Sequence, residues 1–230
     1  ELLEQGKGDI WDSGKIESDA SQWITYQGKT LKCNAPYYWK VKIDTNKGAT
    51  NWSAPAFWTT GLFNEADWQG QWIGLDRAAP GDSETQWSRL AARYLRKEFA
   101  VKKDVKRATV HIAGMGLYEL FINGQRIGNQ VLAPAPTDYR KTILYNTYDV
   151  TSLLQTENAI GVTLGNGRFY TMRQNYKPYK IPTFGYPKLR LNLIVEYADG
   201  SKETIATNTS WKLTTEGPIR SNNEYDGEEY

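Results

Sequence analysis

The chain has 230 residues, enough for one large domain or two of ordinary size. Its net charge of +2, from 28 basic and 26 acidic residues with a single short basic run, "VKKDVKR" (101–107), argues against a nucleic-acid partner. One cysteine, Cys33, excludes an intrachain disulfide and a thiolate metal cluster, and no apolar run reaches the ~18 residues of a membrane-spanning helix.

Aromatic residues make up 13% of the chain, and seven of the nine Trp fall before residue 73. Such a composition suits β-sandwiches, where flat side chains fill the space between sheets, and it also suits surfaces that stack on sugar rings. In "YYWKVKID" (37–44), Tyr37, Trp39, Val41 and Ile43 alternate on one face, which predicts a half-buried strand. Turn residues follow at Asn46-Lys47-Gly48 and Asn51-Trp52-Ser53, and "AFWTTGL" reads as a short strand. An immunoglobulin-like sandwich needs about seven strands over about 100 residues. The first stretch supplies four or five, so its opening strands are expected to be missing or supplied otherwise.

Residues 63–75 read as a junction, and 76–92, with Pro, Gly, Ser and charges, as a long surface loop. Strands then return without long helices between them: "RYLRKEFAV", "RATVHIAG", "LYELFING", "QRIGNQVL", "KTILYNTYDV", "NAIGVTLGNG", "PKLRLNLIVEYADG" and "SKETIATN". Asn123-Gly124 predicts a tight hairpin whose alternating residues feed a core, and Asp199-Gly200 a second hairpin. Only "DVTSLL" (149–154) suggests a helical turn, capped by Asp149 or Thr151. His111, the only histidine, lies in an alternating strand and reads as a residue satisfied by a neighbour rather than as a base. The predicted class is all-β, a sandwich or jelly roll rather than a parallel α/β sheet. The last residues, "EGPIRSNNEYDGEEY", lose strand alternation and read as a connector.

Motifs for nucleotide binding, zinc hydrolysis and serine hydrolysis are absent, and "LGNGRFY" (164–170) enters no helix that could hold a phosphate. Acidic residues are plentiful, but spacing nominates no catalytic pair. One constellation stands out. Pro134 and Pro136 stiffen the stretch before Asp138, Tyr139 and Arg140, and such a loop at a sandwich rim can carry a sugar site. Asn129, Asp138 and Asn166 offer hard oxygen ligands for calcium. The plainer alternative is that Asp138 makes an Asx-turn and Arg140 faces water.

The ordered series W-x-G-x-W-I-G (68–74), R-Y-L-R-K-E-F (93–99), G-L-Y-E-L-F-I-N-G-Q-R-I-G (116–128), L-A-P-x-x-T-D-Y (132–139), Y-N-T-Y-D-V-T-S-L-L (145–154), E-N-A-I-G-V-x-L-G-N-G (157–167) and G-P-I-R (217–220) resembles the N-terminal region of bacterial α-L-rhamnosidases of glycoside hydrolase family 78. The opening "IWDSGKI…YYWKVKID…WSAPAFWTTGL" is similar to the fibronectin-like domain that begins those enzymes. The resemblance implies a partial immunoglobulin/fibronectin-like sandwich over 1–65, a galactose-binding-like jelly roll over 66–217, and a connector over 218–230 toward an absent domain. Hydrolysis in that family belongs to an (α/α)₆ barrel acting by inversion, so no catalytic residue is expected here.

The resemblance also implies a rhamnose-containing glycan and the chain's own catalytic domain as partners, with a bacterial periplasmic or extracellular location. Some members carry in this position a calcium-dependent module that binds terminal L-rhamnose. The matching positions are Asp138, Tyr139, Asn166, Arg168 and Tyr170 for the sugar, with Asn129 and Asp138 for calcium, the only cofactor implied and not an obligatory one. This sequence departs from common versions where "APAP" replaces a Gly-Trp pair and where Arg168 stands in place of an aromatic, which removes two stacking platforms. The second reading is a structural spacer that packs on the barrel and binds no sugar.

Overall fold

A computed structural model describes residues 2–20, 22–77, 90–170, 184–223 and 227–230. They divide into two compact units, residues 1–67 and 68–230, and nearly all of their regular structure is strand. Most of the surface loop expected over 76–92 lies outside the described residues. No helix among the described residues is long and apolar enough to cross a membrane.

The first unit is built on one long ribbon. Strand β1 (Pro36–Trp39) pairs antiparallel with β4 (Ala56–Thr59), and β2 (Asp44–Thr45) pairs with β3 (Gly48–Ala49) at the far end. Between them the ladder is completed partly by hydroxyls: Val41 N–H donates to Ser53 Oγ at 3.1 Å and Ile43 N–H to Thr50 Oγ1 at 3.0 Å. Cross-strand aromatic pairs stud it, Tyr37 with Trp58 at 5.3 Å and Tyr38 with Phe57 at 5.9 Å. The expected half-buried strand is corrected here. Regular pairing lapses after Trp39 and resumes at Asp44, and Trp39, Val41 and Ile43 remain exposed, because no second sheet among the described residues of this unit covers their face.

The second unit is a sandwich of two five-stranded antiparallel sheets. Its further strands are β5 (Ile73–Gly74), β6 (Arg93–Ala100), β7 (Val105–Met115), β8 (Leu117–Ile122), β9 (Gln125–Ile127), β10 (Tyr145–Asp149), β11 (Glu157–Gly165), β12 (Lys188–Tyr197), β13 (Lys202–Ala206) and β14 (Lys212–Thr214). One sheet runs β10-β7-β12-β13 with β5 beside β12; the other runs β14-β6-β11-β8-β9. Alternation along each strand sends Val110, Ile112, Leu191, Leu193, Ile160 and Leu120 into one dry core. The Asn123-Gly124 turn has positive φ at both residues (51° and 82°), as a type I′ hairpin requires. Thr151–Leu153 form a 3-10 turn, with Asp149 Oδ1 accepting the Thr151 N–H at 2.9 Å.

Two segments differ from expectation. The strand over 125–132 ends at Ile127, because Gly128 turns to φ 79°. Residues 218–230, expected as a connector, contain a hairpin of β15 (Ser221–Asn223) with β16 (Gly227–Glu229) and belong to the second unit.

The outer faces of the two sheets contrast. That of the first is strapped by residues 68–72: Gly70 N–H donates to Asn192 Oδ1 at 2.8 Å, Arg190 Nε donates to the Gly70 carbonyl at 2.6 Å, and Gln71 N–H to the Thr207 carbonyl at 2.7 Å. Beneath this strap His111 and Asn192 are fully buried. On the outer face of the second sheet, Tyr94 Oη accepts the Ile219 N–H at 3.2 Å.

Candidate functional site

The rim of the sandwich gathers the segment 128–144, the loop after β11, and residues 184–186. Arg126 anchors the start of the first: its Nε donates to Glu119 at 2.9 Å, and Nη1 and Nη2 donate to the carbonyls of Gly128 at 3.1 Å and Gln130 at 2.7 Å. Tyr118 N–H then donates to the Ala133 carbonyl at 2.8 Å, and the Ala133-Pro134 bond is cis. This folds Ala133 and Pro134 under the rim and leaves Val131 and Leu132 mostly exposed.

Asp138 closes the next turn. Its Oδ1 accepts from the backbone N–H of Arg140 at 3.3 Å and from Arg140 Nε at 3.2 Å, while its carbonyl accepts from Lys141 and Thr142. That is the Asx-turn geometry. Thr137 Oγ1 donates to the Thr142 carbonyl across the same turn. Tyr139 points inward and is buried edge-on against Phe169 at 5.2 Å and Phe184 at 5.4 Å, with the Arg140 guanidinium 5.8 Å from the Phe184 ring. The structure therefore brings Asp138–Arg140 and the 166–170 loop together through one aromatic cluster.

Within that loop Asn166 is fully buried. Its N–H donates to Asn222 Oδ1 and its Nδ2 to the Asn222 carbonyl, both at 2.6 Å, while Asn222 Nδ2 reaches the Leu90 carbonyl at 3.0 Å. Asn166 Oδ1 has no hydrogen-bond partner among the described residues, and a buried acceptor left open is a place for water, an ion or a ligand hydroxyl. Arg168 is half-buried. Tyr170 is buried and stacks on Tyr186 at 5.7 Å, beside Leu90.

Asn129 is exposed, and no hydrogen bond is described that joins it to Asp138. Asp138 faces two cations, Arg140 and Lys141, which compete with a metal for its oxygens. No group of three or more His, Cys, Asp or Glu is poised for a metal among the described residues.

Asn222 and the buried Arg93, which donates to the Ala91 carbonyl, carry this end of the sandwich without having been nominated from sequence. Asn222 lies in a polar tail that shows no alternation, and its pairing with Asn166, 56 residues away, leaves no local signal.

A family model of the α-L-rhamnosidase N-terminal domain matches residues 103–230, and a model of the Rha78A-like N-terminal immunoglobulin domain matches 1–64. An α-L-rhamnosidase of Formosa agariphila is 36% identical over 99% of this chain and 26% of its own length, and one of Alteromonas sp. is 35% identical over 96% and 24%. The solved α-L-rhamnosidase structure from Dictyoglumus thermophilum superposes with a TM-score of 0.84 at 41% identity, covering 98% of this chain and 25% of that one. The native enzyme from Aspergillus terreus gives 0.84 at 36% identity, covering 94% and 25%. The chain thus spans about a quarter of the length of these relatives.

Proposed function

Because the chain belongs to the α-L-rhamnosidase N-terminal domain family, we propose that it is the non-catalytic β portion of an enzyme that removes terminal α-L-rhamnose, positioning or binding rhamnose-containing glycan for a catalytic barrel outside this chain. In this reading the barrel is the chain's main protein partner, and the site of work is extracellular or periplasmic.

The observation that carries the binding reading is the open Oδ1 of Asn166, buried at the rim beside Tyr170 and the Asp138–Arg140 turn. A ligand hydroxyl or an ordered water bridging to one would satisfy it. Arg168 and Arg140 lie in the same two loops and are suited to donate to sugar oxygens, and calcium held through Asn129 and Asp138 would make such binding sensitive to chelation.

The spacer reading is favoured by a different observation. Tyr139 and Tyr170 are buried in aromatic contacts, so neither ring is displayed as a platform for a sugar. Calorimetric titration of L-rhamnose with and without calcium separates the two. Saturable heat that is lost on chelation and in Asp138→Ala supports the rim site. Absence of heat at millimolar sugar in both conditions rejects it and leaves the spacer.

A further inference from the structure

Two asparagines at the rim have orientations dictated by the backbone groups they face. Asn222 is almost wholly buried; it turns its Oδ1 to the backbone N–H of Asn166 at 2.6 Å and its Nδ2 to the Leu90 carbonyl at 3.0 Å. A backbone N–H only donates and a carbonyl only accepts, so a reversed amide would meet like with like at both ends. Asn166 is fixed in the same way. Its Nδ2 donates to the Asn222 carbonyl at 2.6 Å, and its own carbonyl accepts the Tyr170 N–H at 3.3 Å. The remaining polar atom, Oδ1, has no partner among the described residues.

The chain gives up space and strand stability for this pairing. A Cβ on Gly165, the last residue of β11, would lie 2.9 Å from Asn222 Oδ1. Glycine at a strand end marks close approach to the backbone, and what approaches here is the Asn222 side chain. The pairing joins Leu90, ahead of β6, to the loop after β11 and to β15. A relay that served only to tie these segments would end with every atom paired, since an open buried acceptor costs about 1–3 kcal/mol. This one ends on an open acceptor, in the loop that carries Arg168 and Tyr170 and that meets Asp138–Arg140 through the aromatic cluster.

We propose that Asn222 is a positioning residue of the rim site: through its hold on Asn166 it presents Oδ1 rather than Nδ2 to the ligand, so that the ligand supplies a hydroxyl as donor at that point. The ligand rests on the rim-binding reading above, whereas the sense of the hydrogen bond follows from the two asparagines. An ether oxygen or a carboxylate would set lone pairs against lone pairs there and gain nothing from the site. Asn222 has no need to touch the ligand. Its side chain is used up on Asn166 and Leu90, and it acts through the amide it orients.

The test is titration of the chain with L-rhamnose, calcium present, followed by calorimetry and by carbon NMR of the Asn166 side-chain carbonyl. In the intact chain that resonance shifts as Oδ1 gains a donor, and shift and heat follow one binding curve. Asn222→Ala weakens binding about tenfold or more and abolishes the shift. Gly165→Ala sets one methyl against Asn222 Oδ1 and leaves every polar atom of the pairing in place. It acts in the same direction, and it carries the test should Asn222→Ala disturb folding. Saturable heat with the Asn166 resonance unmoved overturns the proposal. So does a lowered thermal midpoint in the folded variants with affinity and shift unchanged, which marks the pairing as structural only. The rim reading survives both of those results. Absence of heat at millimolar sugar in the intact chain removes the rim reading, and the role given to Asn222 falls with it.

Discussion

The two units use the same kind of residue to opposite effect. Tyr38 and Phe57 in the first unit meet across a ribbon and stay more than 60% exposed, whereas Tyr118 and Tyr197 in the second are almost wholly buried. The difference is the number of layers rather than the hydrophobicity of the side chains. A single ribbon can bring cross-strand partners together but cannot enclose either face, so its aromatic pairs contribute a few tenths of a kcal/mol up to ~1 each. Two sheets packed face to face remove the same groups from water and gain the full burial term.

Removing a core side chain sharpens the contrast most. Leu191→Ala, at a fully buried site on β12, should cost about 2–5 kcal/mol in urea denaturation of the sandwich. Acid should act almost as strongly on the same unit. His111 is fully buried, with Nδ1 2.9 Å from Thr147 Oγ1, and burial followed by the nearby charge of Arg107 pushes its pKa from 6.5 down to about 4. The unfolded chain takes up a proton near pH 6.5 that the folded strand refuses until about pH 4. Stability therefore falls as pH drops through that window and levels off below it, a total loss of about 3 kcal/mol. Denaturation midpoints measured across the window should show this slope, and His111→Gln should flatten it.

A smaller effect is expected at the hairpin. Gly124→Ala forces a side chain into the left-handed region with no clash around it, at a cost of about 1–2 kcal/mol read from the thermal midpoint. Smallest of all is Phe57→Ala on the ribbon, expected to shift stability by no more than about 1 kcal/mol. A loss as large as that of Leu191→Ala would break the comparison and show that the ribbon face is enclosed in solution.

Legibility in the sequence follows the same division. The sandwich strands could be read because alternation and Asn-Gly chemistry are local signals, and each is enforced by one shared core. Residues 37–43 alternate just as clearly, but alternation states which residues could share a face and says nothing about whether a second layer exists to cover it. At the rim, Asp138 and Tyr139 were nominated for their chemistry. Which oxygen lies open and which ring is buried depend on partners far along the chain, Asn222, Phe169 and Phe184, that no spacing reveals.

The pairing of Asn166 with Asn222 bears on how this protein can be divided into pieces. A cut after residue 217 looks natural from composition, yet it would discard Asn222 and leave Asn166 with its backbone and side-chain donors stranded inside the sandwich. It would also remove Ile219, whose N–H donates to Tyr94 Oη on β6. The final hairpin is part of the sandwich, so a gene fusion or domain exchange whose seam falls before β15 should cost stability.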